Sequence, residues 1–273
     1  MSTWIFLRGL TRESRHWGDF VEQFQSALPG NQVIALDLPG NGRLNQQRSP
    51  VRVQEMVVHC RAQLALRNMA PPYQVLALSL GAMVAVAWGH AHPHEVAAQV
   101  LINTSMRPFN RFYQRLRPGN YGALLRLLIL GATPDAWERA ILHMTSNRTT
   151  DEVLAVWLKL RQESPVSRAN TLRQLVAAAR FRAPFVTPHA PTLLLASERD
   201  QLVCVECARA LARRWQCALR VHTSAGHDLP LDDGPWVAAQ VREWLILQNR
   251  SGHQPPATAS NWRSVAVPDR HSR

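Results

Sequence analysis

Five consecutive residues, Ala77-Leu78-Ser79-Leu80-Gly81, restrict the possible folds of this chain more than any other feature. They follow the strand-like run Gln74-Val75-Leu76 and precede Ala82-Met83-Val84-Ala85-Val86-Ala87-Trp88, a run that favours helix. A serine with small residues two before and two after it, set between strand and helix, fits a sharp, strained corner that lifts its hydroxyl clear of the backbone. The competing reading is a serine that merely ends a strand. Gly81 is the usual small residue at its position, whereas Ala77 stands where a glycine is commoner. The small residues are expected because the positions two before and two after Ser79 face each other closely. The helix start behind Ser79 also offers the N–H of Leu80 to a developing oxyanion.

The rest of the chain supplies a setting for such a corner. Short apolar runs recur at residues 3–7, 33–36, 75–78 and 100–102, and again at 191–195 and 219–221. Runs without clean alternation suit strands buried on both faces of a parallel sheet. Helical stretches lie between them at 17–28, 52–66, 82–90 and 205–215. Strand alternating with helix predicts an α/β fold, a doubly wound and mostly parallel sheet with right-handed crossovers.

Between about residues 105 and 184 the alternation stops, and only helical periodicity remains. Helices are expected there at 109–116, 121–130, 133–144, 150–162 and 167–180. This organisation predicts a core of residues 1–104 and 185–248, an inserted helical cap over 105–184, and a disordered tail from 249 to 273. Leu124-Leu125-Arg126-Leu127-Leu128-Ile129-Leu130 is the most apolar cap element, expected to pack on the core, with lining an acyl pocket or touching lipid as the alternatives.

Composition narrows the class further. The 273 residues are 46% hydrophobic, enough for a substantial core. No apolar stretch reaches the roughly 18 residues that would span a bilayer, so no stable membrane insertion is expected. The first residues have no basic segment ahead of their apolar run, which does not read as a signal peptide. Four cysteines, Cys60, Cys204, Cys207 and Cys217, are too few for a disulfide framework and fit a reducing compartment. These features predict a cytoplasmic protein. The net charge of +12 is almost all arginine, since Lys159 is the single lysine. The arginines are scattered rather than gathered in a basic block, and no nucleic-acid-binding module is present.

A serine hydroxyl needs a base to become a nucleophile, and the base needs an acid to hold it. The run at 191–195 leads into Ala196-Ser197-Glu198-Arg199-Asp200-Gln201-Leu202-Val203. Asp200 is the candidate acid there, with Glu198 the alternative. The last strand-like run leads into His222-Thr223-Ser224-Ala225-Gly226-His227-Asp228. His227, on a loop after a small-Gly step, is the candidate base, while His222 is read as structural. Asp228, Asp232 and Asp233 are expected to be solvated or to cap a helix.

Taken together these residues resemble the α/β-hydrolase superfamily, and the likeness runs from Trp4 to about Leu247. Leu7-Arg8-Gly9-Leu10 resembles the family's His-Gly-x loop, whose x residue supplies a second oxyanion N–H; this implies that Leu10 joins Leu80 in an oxyanion hole. His16-Trp17 looks like the family's following helix start, and Asp37-Leu38-Pro39-Gly40-Asn41-Gly42 like its Asp-x-Pro-Gly-x-Gly turn. Two departures stand out. Arg8 occupies the usual histidine position, so the hydrogen bonds within that loop must differ. The sequence also begins almost at the family's third strand, so the two opening strands common in the family are not expected. The resemblance therefore implies six strands, with the second in sequence at one edge, the first beside it, and the others following in chain order.

The resemblance also implies an activity: hydrolysis of a carboxylic ester through an acyl-enzyme, with Ser79, Asp200 and His227 as the triad. A serine argues against haloalkane dehalogenase and epoxide hydrolase chemistry, for which the family places aspartate here. Thioester or C–C bond hydrolysis on the same triad remains an alternative, as does a non-catalytic ligand-binding protein of this fold. Within the superfamily the chain is similar to small capped carboxylesterases, the group that includes pimeloyl-acyl-carrier-protein methyl ester esterase. That likeness suggests a small or carrier-protein-linked acyl ester as substrate. Arg107, Arg111 and Arg115 recur every four residues, and their helix face either docks an acyl carrier protein or an anionic substrate, or is simply solvated.

Other patterns carry less. Cys204-Val205-Glu206-Cys207 has no second pair to complete a zinc site, and His90-Ala91-His92-Pro93-His94 alternates as a strand would but sits where a helix ends at a proline, a poor place for a metal site. No cofactor and no metal are expected, and the protein is expected to be a monomer or weak dimer that binds no nucleic acid.

Overall fold

A computed structural model of the chain describes residues 2–129 and 133–250. Six strands form one parallel sheet: β1 (Thr3–Leu7), β2 (Gln32–Leu36), β3 (Tyr73–Leu78), β4 (Val96–Ile102), β5 (Thr192–Ser197) and β6 (Ala218–His222). Their order across the sheet is β2-β1-β3-β4-β5-β6, with every neighbouring pair parallel, so the sheet and strand order expected from sequence are the ones found.

The sheet is covered on both faces, as parallel strands require. The side chains of β1 alternate. Ile5 and Leu7 join a core with α2 (Val53–Leu66), α3 (Leu80–Ala91) and α9 (Glu206–Trp215). Trp4 and Phe6 join the opposite core with α1 (Phe20–Ala27) and α10 (Leu229–Arg250). On that second face Trp4 meets Phe24 edge-on at 4.9 Å, and Phe6 packs on Trp17, Phe20 and Phe24. Full burial of Phe6 and Phe24 stabilises the fold by roughly 1.5–3 kcal/mol each. The expected helix at 17–28 starts late, at Phe20, because residues Ser14–Trp17 form a separate 3₁₀ turn.

Between β4 and β5 come α4 (Phe112–Arg115), α5 (Tyr121–Ile129), α6 (Pro134–Thr145), α7 (Asp151–Glu163) and α8 (Arg168–Arg180). Three of them start on a hydroxyl cap: Thr133 accepts from the Ala136 N–H, Thr150 from Val153 and Ser167 from Asn170. They hold together through small apolar clusters of their own, one around Leu127, Trp137 and Met144 and another around Leu142, Leu154 and Trp157. The expected helix at 109–116 shrinks to Phe112–Arg115. The buried side chain of Asn110 is the reason. It accepts from the Met106 N–H and donates to the Cys207 carbonyl, which fixes the preceding residues as a turn. Of the expected tail, residues 251–273 lie outside the described residues, as does Leu130.

Candidate active site

Ser79 sits between the last residue of β3 and the first of α3, with φ 55° and ψ −113°. A non-glycine residue held there carries roughly 1–3 kcal/mol of strain, so its surroundings must hold it in place. The Ser79 N–H donates to the Ile102 carbonyl at 3.0 Å, and the Ser79 carbonyl accepts from the Thr104 hydroxyl at 3.1 Å. Gly81 is required by a close approach. A Cβ on it would lie 2.4 Å from the Leu7 carbonyl oxygen and 2.7 Å from that of Arg8. The crowding at Gly81 therefore comes from the end of β1 rather than from Ala77, which is fully buried within β3.

Asp200 and His227 arrive from the ends of β5 and β6. Their side chains meet with Asp200 Oδ2 2.7 Å from His227 Nδ1, and both are buried. The other carboxylate oxygen, Oδ1, accepts from the N–H groups of Leu202 and Val203 at 2.7 and 2.9 Å. With both oxygens engaged, the carboxylate has one orientation. Glu198 points away, exposed and paired with Arg209. Burial works against the charged form of His227, but the Asp200 charge and hydrogen bond outweigh it, so the imidazole pKa is raised. His222 instead accepts from the N–H groups of Ser224 and Ala225 through Nδ1.

Two residues not anticipated from sequence hold the His227 loop. The amide of Asn103 donates to the carbonyls of His227 and Gly226, and its oxygen accepts from the Ser197 N–H at 2.8 Å. Asp232 accepts from the N–H groups of Gly226 and Asn147, at 2.6 and 3.0 Å. The available signal was position: Asn103 directly follows β4, at the carboxyl end of a parallel strand, where ligand sites gather. Of the three nearby aspartates, Asp233 caps, accepting from the Trp236 N–H. Asp228 and Asp232 depart from the expected solvated role, because both are buried and bonded.

The partner of Asp228 is Arg8. Nη1 of Arg8 donates to Asp228 Oδ1 at 3.0 Å, and Nη2 makes a second bond to Oδ2. The guanidinium also lies over the Trp17 ring at 4.7 Å. The arginine in place of a histidine thus ties the loop after β1 to the residue following His227. Beyond it, the Thr11 N–H donates to Gln174 of α8 at 2.8 Å. Gln174 in turn donates to Asn41, in the turn after β2. In the same loop, burial and the cations of Arg12 and Arg8 hold the His16 pKa well below its ordinary value, so this imidazole is neutral at pH 7.

These loops open on a cavity of about 410 Å³. Ser79 and His227 line it, as do Leu10 and Leu80, the residues considered for an oxyanion hole. The N–H of Leu80 opens α3, where a helix leaves its first N–H groups without intrahelical acceptors. Helices α4, α5, α6 and α8 form the remaining wall, mostly through apolar side chains such as Leu124, Ile141, Met144 and Leu175. Arg107, Arg111 and Arg115 do not share a helix face. Arg107 lies in an exposed segment bridged to Arg182, and Arg111 is exposed, donating to the Tyr113 hydroxyl. Arg115 is half-buried and lines the cavity.

The sequence matches the model of a family described as the alpha/beta hydrolase family over residues 4–240. Solved structures similar to this chain include one described as a non-heme bromoperoxidase, BpoC, from Mycobacterium tuberculosis H37Rv. It is 22% identical, with a TM-score of 0.72, and 90% of this chain and 92% of that one are covered. A structure described as a lipase from Acinetobacter baumannii AYE is 22% identical, with a TM-score of 0.72 and coverage of 92% and 85%. A thermophilic esterase from Thermogutta terrifontis is 20% identical, with a TM-score of 0.70 and coverage of 90% of each chain. Among curated proteins, none matches significantly.

Proposed function

Because the chain belongs to the α/β-hydrolase family, we propose that it is a serine hydrolase that cleaves a carboxylic ester through an acyl-enzyme. The observation that carries this reading is the shared cavity. Ser79, on its strained corner, and His227, backed by Asp200 at 2.7 Å, line the same space. In this mechanism His227 removes the Ser79 proton as the hydroxyl attacks the ester carbonyl. Asp200 holds the imidazole and stabilises its charged form. The N–H groups of Leu80 and Leu10 receive the oxyanion, the alcohol leaves with the proton from His227, and water repeats the sequence to release the acid. The similarity to an esterase and to a structure described as a lipase supports the ester as the bond cleaved. Under this proposal the substrate is a small or carrier-protein-linked acyl ester, as in the small capped carboxylesterases. Exposed Arg107 and Arg111 remain available to meet an acidic carrier. The four cysteines, all free, are consistent with action in a reducing compartment such as the cytoplasm.

Covalent labelling by a fluorophosphonate, with Ser79→Ala as control, tests the nucleophile. Labelling that depends on Ser79, with turnover of p-nitrophenyl esters, is the expected result. No labelling of the wild type would leave a ligand-binding protein of this fold, and a preference for acyl-CoA over the esters would reassign it as a thioesterase.

A further inference from the structure

The cavity wall carries three guanidinium groups, those of Arg8, Arg12 and Arg115, but a single carboxylate, that of Asp228. Arg8 and Asp228 neutralise each other. Arg12 is nine-tenths buried and donates to Glu138 of α6 at 2.6 Å, but Glu138 also accepts from Arg161, so one carboxylate serves two cations. Nη2 of Arg12 is buried without a hydrogen-bond partner. Arg115 has no carboxylate within ion-pair distance among the described residues. Its Nη2 donates to the Ala178 carbonyl at 2.6 Å, and its Nε is buried without a partner. Burial, then the nearby Arg107 charge, lowers its pKa, although a guanidinium stays protonated at any ordinary pH.

An unneutralised cation in a mostly apolar wall is unfavourable unless an anion joins it. We propose that the cavity takes an ester bearing a second group, a carboxylate, which binds Arg115 with support from Arg12, while the apolar wall packs the intervening methylenes. This specificity rests on the esterase reading above: the bond cleaved is the one presented to Ser79, and the free carboxylate is recognised without being altered. A dicarboxylic acid esterified at one end is the simplest such molecule. The net charge of +12 would also attract any anion, so the test must separate local recognition from long-range attraction.

Mono-p-nitrophenyl adipate and p-nitrophenyl hexanoate have acyl chains of equal length and differ at the far end by the carboxylate. Wild-type protein should prefer the adipate by kcat/KM. Arg115→Met should lower that preference roughly 10- to 100-fold, the worth of a hydrogen bond to a charged group. Arg115→Lys should retain part of it, and Arg67→Met, at the exposed end of α2, should leave it unchanged. Fluorophosphonate labelling of Arg115→Met checks that the Ser79 corner is intact. Equal loss on both esters would make Arg115 a brace between α4 and α8 and overturn the proposal, as would a wild type that prefers the hexanoate. Binding of monomethyl adipate to Ser79→Ala, measured by calorimetry and lost in Ser79→Ala/Arg115→Met, tests the subsite even if the wild type hydrolyses neither ester. Absence of that binding would overturn it.

Discussion

Arg8 and Asp228 meet as a buried two-pronged ion pair that joins the loop after β1 to the loop carrying His227. Each member lies within two residues of one with a proposed role. Arg8 precedes Gly9-Leu10, and Asp228 follows His227. A planar guanidinium gripping both carboxylate oxygens fixes orientation as well as distance. The pair therefore links the position of the oxyanion-side loop to that of the proposed base.

Removing one partner should be far more damaging than removing both. Arg8→Met leaves Asp228 as a buried, uncompensated charge, and the expected loss of stability is about 3–5 kcal/mol. Arg8→Met combined with Asp228→Leu should recover much of it, since no charge is then stranded. Urea denaturation of the two single variants and the double variant gives the coupling energy. Additive losses would mean that the two side chains act independently.

The raised pKa of His227 predicts the shape of the pH profile. As the proposed base, His227 must be neutral, so kcat/KM for a p-nitrophenyl ester should rise with pH, its acid limb lying above the ordinary imidazole value of 6.5. Asp200→Asn removes the larger influences that raise that value, the Asp200 charge and hydrogen bond, and leaves only the Asp228 charge to oppose burial. The limb should move down while the maximal rate falls by orders of magnitude. The stability contribution has the opposite dependence. A pKa raised in the folded state stabilises fully below the unfolded value and is lost as pH climbs through the folded one. A wild-type limb below 6.5 would contradict the coupling to Asp200.

The sheet was legible in the sequence because its inner strands are buried on both faces, and burial leaves an unbroken apolar run such as Val75-Leu76-Ala77-Leu78. The corner at Ser79 was legible from the strand-like run before it and the helix-favouring run after it, although the crowding that requires Gly81 comes from Leu7 and Arg8. What escaped was long-range. Arg8 and Asp228 are 220 residues apart, and Thr11 meets Gln174 across 163. A polar side chain whose partner lies so far along the chain looks like any surface residue until the fold brings the two together. Asn103 and Asp232 were hidden in the same way. The shortened α4 shows a local failure. Helical periodicity suggested a helix over 109–116, and the buried amide of Asn110 instead turned the chain at its start.

Gly81→Ala should prevent the Ser79 corner from forming. The added methyl would have to displace the carbonyl of Leu7, the last residue of a strand paired on both sides, and that of Arg8 directly after it. A loss of several kcal/mol, beyond the range of ordinary surface substitutions, is expected, together with loss of fluorophosphonate labelling. Ala77→Gly, by contrast, adds chain entropy in a strand and should destabilise by about 0.5–1 kcal/mol with labelling retained. Thermal melting of both variants checks the contrast.

Glu138 fastens the inserted helices to the core. Its buried carboxylate accepts from Arg12, in the loop after β1, and from Arg161 of α7, while the guanidinium of Arg12 lies over the Trp157 ring at 4.1 Å. Glu138→Gln strands two partly or fully buried cations at once, so about 3–5 kcal/mol should be lost locally. That loss should not be spread evenly. The α6–α7 pair has its own small apolar cluster, apart from the two cores that sandwich the sheet. Hydrogen exchange should therefore accelerate across 134–163 while β1, β3 and β4 keep their protection, the behaviour of a unit that opens separately. Uniform acceleration through the sheet would show that the helices and the core unfold as one.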